Sequence, residues 1–327
     1  MTASKGYSGK RPLGRTGLEI APLVFGGNVF GWTVDEKRSF ELLDRFFDAG
    51  FNAVDTADVY SSWVPGNQGG ESETIIGNWF KAAPSRRSQA VLITKVGWPA
   101  GPGAGGLKAD YILRAVEDSL RRLQTDYIDL YFSHHPDAQT PVEETLRAHE
   151  KLLQQGKVRA IGASNYDAAQ LREALAVSAR ENLPRYDVLQ PEYNLYDRAG
   201  FEGALRALAR DEGLGVITYF SLASGFLSGK YRSAEDLGQS ARGSRVEKYL
   251  NPRGLRILDA LDLVAKRHQA RPAEVALAWL IGSEGVTAPI ASATRIDQLE
   301  SLLKSTTLRL SAEDYAVLDQ ASAASVP

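Results

Sequence analysis

Four side chains have the types and placement for chemistry: Asp55 and Tyr60 in FNAVDTADVY, Lys95 in VLITKVG and His134 in YIDLYFSHHPD. Each lies at or just past the carboxyl end of a short apolar run, where a parallel sheet or barrel builds its active site. A carboxylate, a phenol, an ammonium and an imidazole gathered there form a proton-donating site. An ammonium favours the phenolate, so the set predicts a Tyr60 pKa drawn down from about 10 toward neutral pH, at ~1.36 kcal/mol per unit. Such a tyrosine gives its proton to a carbonyl oxygen as hydride reaches the carbon. Taken singly, Asp55 reads as a turn cap and Lys95 as a solvated charge. The chemistry rests on their combination.

The elements that must position these residues recur along the whole chain. Strand-like apolar runs fall at 23–25, 53–55, 91–95, 128–133, 158–162, 188–190, 216–219 and 286–290, with amphipathic helical patterns between them. Over 111–123, Ile112, Ala115, Val116, Ser119 and Leu120 share one helical face while Arg114, Glu117, Asp118 and Arg121 take the other. Further helices are expected over 35–49, 71–81, 142–155, 168–181, 201–212, 254–268, 272–281, 295–304 and 311–321. Pro272 suits a first helical turn, and Ser311-x-x-Asp314 forms a capping pattern. Strands alternating with helices over one domain, 1–327, predict a (β/α)8 TIM barrel, preceded by a β-hairpin turning at Thr16-Gly17. An open doubly wound sheet is the alternative, but it gathers its ligand groups at one switch point, whereas polar residues here end most of the strands. Long loops over 61–70 and 221–252 follow the second and seventh strands on the catalytic face and read as substrate and cofactor lids.

Composition narrows the partners. The net charge is -2, from 40 acidic and 38 basic residues with no basic block, so no nucleic-acid or anionic-membrane surface is expected. Cysteine is absent, which excludes disulfides, thiolate catalysis and thiolate-bound metals. The adjacent His134 and His135 point to opposite faces of a strand and do not share a metal, so no metal site is read. MTASKGYSGKRPLGR lacks an apolar leader, and the uncharged stretch 214–229 is broken by Ser, Thr and Gly. A soluble, cytoplasmic protein acting on small molecules is the expectation.

Two glycine-rich segments imitate nucleotide loops. Residues 101–106 (GPGAGG) match GxGxxG, but Trp98 and Pro99 separate them from Lys95 and no acidic residue ends the next strand. They read as a mobile surface loop rather than a dinucleotide fingerprint. GFLSGKY, 225–231, is one residue short of a P-loop between its glycines and has Tyr231 where magnesium needs a Ser or Thr hydroxyl, yet its amides and Lys230 suit a pyrophosphate. At other strand ends, Asn165 and Gln190 suit a ligand carboxamide, and Tyr219 an aromatic ring stacked on it. Ser164 and Asn165, ahead of Asp167, read equally well as a helix cap.

In order, LGRTGLEIAPLVFGG, DTADVY, GGESETIIG, ITKVG, YIDLYFSHHPD, GASNY, QPEYNLYDR, YFSLASGFLSGKY and ATRIDQLESL resemble the aldo-keto reductase superfamily over nearly the whole chain. Within it they look like the bacterial branch related to voltage-gated potassium channel β subunits. The resemblance implies NADPH extended across the barrel mouth and reduction of an aldehyde or ketone to an alcohol. By it, Tyr60 is the general acid, Lys95 and Asp55 the ion pair that tunes it, and His134 the residue orienting the carbonyl oxygen. Gly27, Asn28 and Asp55 would lie near the nicotinamide ribose, with Ser164, Asn165 and Gln190 on the carboxamide and Tyr219 on the ring. Phe220, Ser221, Leu222, Ala223, Ser224 and Lys230 would wrap the pyrophosphate, and Arg245 or its neighbour Arg242 would meet the 2′-phosphate. Ser292, Thr294 and Gln298 keep part of the adenine-end pattern GxSxxxQxxEN, whose Glu-Asn pair is replaced by Ser301 and Leu302. Two other readings stay open: a Schiff-base barrel enzyme using Lys95 as nucleophile, and a nicotinamide-binding regulatory protein with little turnover. Substrate identity depends on the loops around Trp32, Trp63, Trp98 and 221–252, and neither it nor the oligomeric state is legible from sequence.

Overall fold

Short strands whose side chains alternate between two apolar layers decide the architecture. The computed structural model of the chain describes residues 9–99 and 105–323. A hairpin of β1 (Arg11–Pro12) and β2 (Glu19–Ile20) comes first, with Arg11 opposite Ile20. Gly14 takes the left-handed φ of 59° its turn needs, and a Cβ there would lie 2.4 Å from the Asp187 carbonyl oxygen. The hairpin therefore packs backbone against backbone on the barrel, and its Leu13 and Ile20 join the barrel's interior cluster.

Eight parallel strands then close on themselves: β3 (Val24–Gly26), β4 (Ala53–Asp55), β5 (Val91–Val96), β6 (Ile128–Ser133), β7 (Val158–Ser164), β8 (Val188–Gln190), β9 (Gly215–Thr218) and β10 (Ala288–Ala291). β10 pairs back to β3 through Ile290 and Val24, and β5 registers on β6 with Lys95 beside Phe132. The helices are α1 (Glu36–Asp48), α2 (Glu71–Ala82), α3 (Ser85–Gln89), α4 (Ala109–Leu123), α5 (Val142–Gln154), α6 (Ala168–Glu181), α7 (Ala204–Asp211), α8 (Pro252–His268), α9 (Pro272–Gly282), α10 (Ile296–Ser305) and α11 (Ala312–Ser322). This is the (β/α)8 barrel with an N-terminal hairpin that the alternation predicts. Among the described residues no helix is long and apolar enough to cross a membrane.

Alternate residues of each strand fill different layers. Val24, Ala53, Val91, Ile93, Leu130, Phe132, Ala160, Val188, Ile217, Ala288 and Ile290 point inward and form one buried cluster. Their neighbours, among them Phe25, Val54, Leu92, Tyr131, Ile161 and Val216, pack outward under the helices. Both layers are apolar, as a sheet covered on both faces requires.

Element boundaries differ from the sequence pattern where local chemistry intervenes. α7 starts at Ala204 rather than 201, because Gly203 adopts φ 84°, ψ -124°, which no helix accommodates. α8 starts two residues early, at Pro252, since the Asn251 side chain accepts from the Gly254 N–H and caps it. α3 has no apolar periodicity to announce it; Arg87 ties it down by bonding Thr125 Oγ1, the Tyr127 carbonyl and Asp129. The long segment after β9 is folded into 3-10 turns that bury Phe226, Leu227, Tyr231 and Tyr249. Of the GPGAGG loop, residues 101–104 lie outside the described residues.

Candidate active site

The inward parity of each strand, carried two residues further, assembles the site. Asp55 follows Ala53, Lys95 follows Ile93, His134 follows Phe132, Gln190 follows Val188 and Tyr219 follows Ile217, while Ser164 continues β7 and Ser292 continues β10. Side chains in a strand repeat with period two, so a polar residue two places past the last interior apolar one faces the barrel mouth.

Lys95 is fully buried, and its ammonium has an acceptor for each proton: Asp55 Oδ1 at 2.7 Å, the Thr56 carbonyl at 2.7 Å and Tyr60 Oη at 2.9 Å. The second Asp55 oxygen accepts from Gln190 Nε2 at 3.0 Å. The Tyr60 hydroxyl proton is held loosely, with Asp55 Oδ1 3.3 Å away. Burial pushes the Lys95 ammonium below its ordinary range, against the pull of Asp55.

Tyr60 corrects an expectation. Its hydroxyl is held well above the usual tyrosine range, first by burial and then by the Asp55 carboxylate, rather than drawn toward neutral pH. Burial is the larger cause, and Lys95 does not offset it, because its ammonium is already paired with Asp55 at 2.7 Å. In this state the phenol keeps its proton.

His134 is buried and packs its ring 4.7 Å from Trp98 and 6.2 Å from Tyr60. Burial, Lys95 and His135 hold its imidazole well below the usual pKa, so it is neutral. Its Nδ1 is sealed in the protein without a partner, which leaves Nε2 as the nitrogen able to meet a ligand. The His134 carbonyl accepts from Asn165 Nδ2 at 2.8 Å, Asn165 Oδ1 accepts from the Tyr219 hydroxyl at 2.6 Å, and the Ser164 hydroxyl bonds the Gln190 carbonyl. Asn165, Gln190 and Tyr219 thus sit together at the mouth, already linked to one another or to Asp55.

Other sequence-derived candidates fall around the rim. Ser292 Oγ donates to Asn28 Oδ1 at 2.6 Å, and a Cβ at Gly27 would lie 3.1 Å from the Asp55 carbonyl, so the turn after β3 lies between the end of β10 and the end of β4. After β9, Phe220, Ala223, Ser224 and Gly225 all take positive φ, from 48° to 100°. Left-handed backbone of this kind can gather N–H groups into an anion-binding nest; the Ala223 and Gly225 N–H groups are spent on the Phe220 and Leu222 carbonyls, and Phe220 and Ser224 line a cavity of about 660 Å³ together with Arg245 and Lys248. The donor set fits a diphosphate. Ser221 is buried and spent on the Thr218 carbonyl, Ala223 is buried, Leu222 is partly buried, and exposed Lys230 lies over the Tyr231 ring. At the far end, Thr294 is bonded to Gln298 Oε1, Leu302 is buried, and Ser301 donates to Glu274.

Asp58 was not singled out in the sequence, because its place in DTADVY carries no pattern that distinguishes it. Both its carboxylate oxygens are buried without a hydrogen-bond partner, and burial and Glu73 push it up to about 8. Among the described residues no cluster of His, Asp and Glu could hold a metal ion.

The family model described as the aldo/keto reductase family matches residues 22–323. The chain is 37% identical over 314 residues to an uncharacterized oxidoreductase of Bacillus subtilis, YrpG, covering 94% of each chain. It is 36% identical over 299 residues to a probable voltage-gated potassium channel subunit beta of Oryza sativa, covering 89% of each. An uncharacterized 11.2 kDa protein of Pseudescherichia vulneris is 68% identical over 87 residues, which is 27% of this chain and 84% of that one.

Proposed function

From the premise that the chain belongs to the aldo/keto reductase family, we propose that it is an NADPH-dependent reductase converting aldehydes or ketones to alcohols. The observation that supports this best is the Lys95 ammonium, with its three protons on Asp55, Thr56 and Tyr60. When bound, NADPH supplies hydride to the carbonyl carbon. Tyr60 gives its hydroxyl proton to the carbonyl oxygen as negative charge builds there, and the Lys95 N–H aimed at Oη stabilises the phenolate left behind. That contact gains most when Oη becomes anionic, so it favours the transition state over the resting enzyme. The neutral His134 imidazole orients the carbonyl oxygen. Asn165 and Gln190 would hold the carboxamide with Tyr219 on the ring, the loop at 220–225 would hold the pyrophosphate, and Arg245 would hold the 2′-phosphate.

The Schiff-base reading is opposed by the same lysine, whose ammonium would have to lose a proton, and with it one of its three hydrogen bonds, before attacking a carbonyl. The relatives named as channel subunits keep a regulatory reading in view, and turnover separates it. Tyr60→Phe should lower kcat by ~10² to 10⁴ with the NADPH Kd unchanged. Loss of reduced-nicotinamide absorbance with a panel of aldehydes and ketones measures this; a variant keeping more than about a tenth of wild-type turnover points to another proton donor.

A further inference from the structure

Arg242 is a cation without an acid. Among the described residues, no carboxylate is one of the charges that act on it, and its Nη2 is sealed from solvent with no acceptor. Its guanidinium carbon lies 5.3 Å from the Trp32 ring centroid, and Arg245 lies 5.8 Å from the same ring. Two guanidinium groups therefore crowd one indole, and burial with the charge of Arg245 pushes Arg242 down to about 10. Like charges this close raise each other's cost, which an anion docked between them removes.

The two arginines differ in what they face. Arg245 lines the cavity shared with Phe220 and Ser224, where a cofactor phosphate would lie, and Arg242 does not. Arg242 instead leads toward the acid through aromatic rings: Trp32 meets Trp63 edge-on at 5.7 Å, and Trp63 meets Tyr60 at 6.0 Å. Trp63 is 39% exposed, so this wall of the mouth is open to an incoming molecule.

We infer that Arg242, seated on Trp32, selects carbonyl substrates that carry an anionic group, a carboxylate or a phosphate, at the end remote from the carbonyl. This rests on the reductase reading above. The guanidinium matches either oxyanion by charge-assisted donation from the N–H groups other than the sealed Nη2, and its stacking on the indole fixes its orientation before the ligand arrives. The aromatic wall of Trp32 and Trp63 would hold the intervening apolar part of the substrate while Tyr60 meets the carbonyl.

The test compares kcat/KM for 4-carboxybenzaldehyde with its methyl ester, and for glyceraldehyde 3-phosphate with glyceraldehyde, in wild type, Arg242→Met and Arg242→Lys. Wild type should prefer at least one charged member on the order of tenfold to a hundredfold, the size of a charge-assisted hydrogen bond. Arg242→Met should erase that ratio mainly through KM, and Arg242→Lys should restore part of it. Which pair shows the preference tells carboxylate from phosphate. No preference in wild type, or a ratio unchanged in Arg242→Met, overturns the inference while leaving the reductase reading intact. A rise in the NADPH Kd with the substrate ratio unmoved would reassign Arg242 to the cofactor. Absence of turnover with every carbonyl compound, cofactor being bound, would overturn the reductase reading and this inference with it.

Discussion

Asp129 and Asp55 are both buried carboxylates on barrel strands, 2% and 1% exposed, and they are satisfied in opposite ways. Asp129, near the amino end of β6, points outward. One oxygen accepts from Arg87 Nη1 at 2.9 Å and the Leu92 N–H at 3.0 Å, the other from Arg159 Nη1 at 2.9 Å. The two guanidinium groups clamp the Tyr127 ring, 3.8 and 3.9 Å from its centroid. That network is closed. Asp55, at the carboxyl end of β4, points inward to a lysine with no exposure, and the network runs on to a hydroxyl whose proton has only a 3.3 Å contact. A buried carboxylate stabilises when every donor around it is committed; it supports chemistry when one proton in the network is left to give away. The division follows the barrel, whose amino end carries stability and whose carboxyl end carries reactivity.

The comparison breaks first at Lys95. Lys95→Met should lower kcat by ~10³ and the unfolding free energy by ~3–5 kcal/mol, since Asp55 is left buried without its cation. Steady-state turnover and urea denaturation read both. Activity within about tenfold of wild type would mean the ion pair is structural only, as at Asp129.

Arg87→Met is the converse. Stability should fall by about 2–3 kcal/mol, less than for an isolated buried pair because Arg159 still faces Asp129, while turnover per folded molecule stays at the wild-type level. A parallel fall in kcat would show that the two ends are coupled.

Asp58 sharpens the contrast, being a third carboxyl with buried oxygens, one with no side-chain donor. Its native pKa, about 8, lies above the ordinary aspartate value of 3.8, so the unfolded chain ionises first as pH rises. The native state therefore loses stability between about pH 4 and pH 8 and the loss levels off above that. Asp58→Asn, which cannot ionise, should be more stable than wild type by ~1–3 kcal/mol at pH 8 and show no such gain at pH 4. Denaturation curves at both values decide it, and a gain that does not grow with pH would mean Asp58 finds a partner in solution.

The smallest expected effect is at the rim. Arg245→Met should raise the NADPH Kd on the order of tenfold and leave NADH binding unchanged, because one charge-assisted contact is lost. Fluorescence titration with both cofactors measures this; equal weakening of both would move Arg245 from the 2′-phosphate to the shared diphosphate.

The barrel and the membership of its interior were legible in the chain because the signal is local. Val91 and Ile93 before Lys95, Leu130 and Phe132 before His134, and Val188 before Gln190 share one parity, and period two is a property of any extended strand. α3 was not legible, since its anchor, Arg87, bonds residues 38 to 42 positions away and leaves no apolar rhythm behind. Arg242 was legible as an arginine in a loop; its seat on Trp32 and its lack of an acid belong to the fold. Tyr60 shows the limit most clearly. Residue types and spacing alone determined that a phenol, an ammonium and a carboxylate would meet at the barrel mouth. Only the tertiary structure decided the sign of the tyrosine's shift, because that depends on which pair lies closer and how deeply all three are buried. Side-chain parity is written along the chain, whereas the field at an atom sums over everything folded around it.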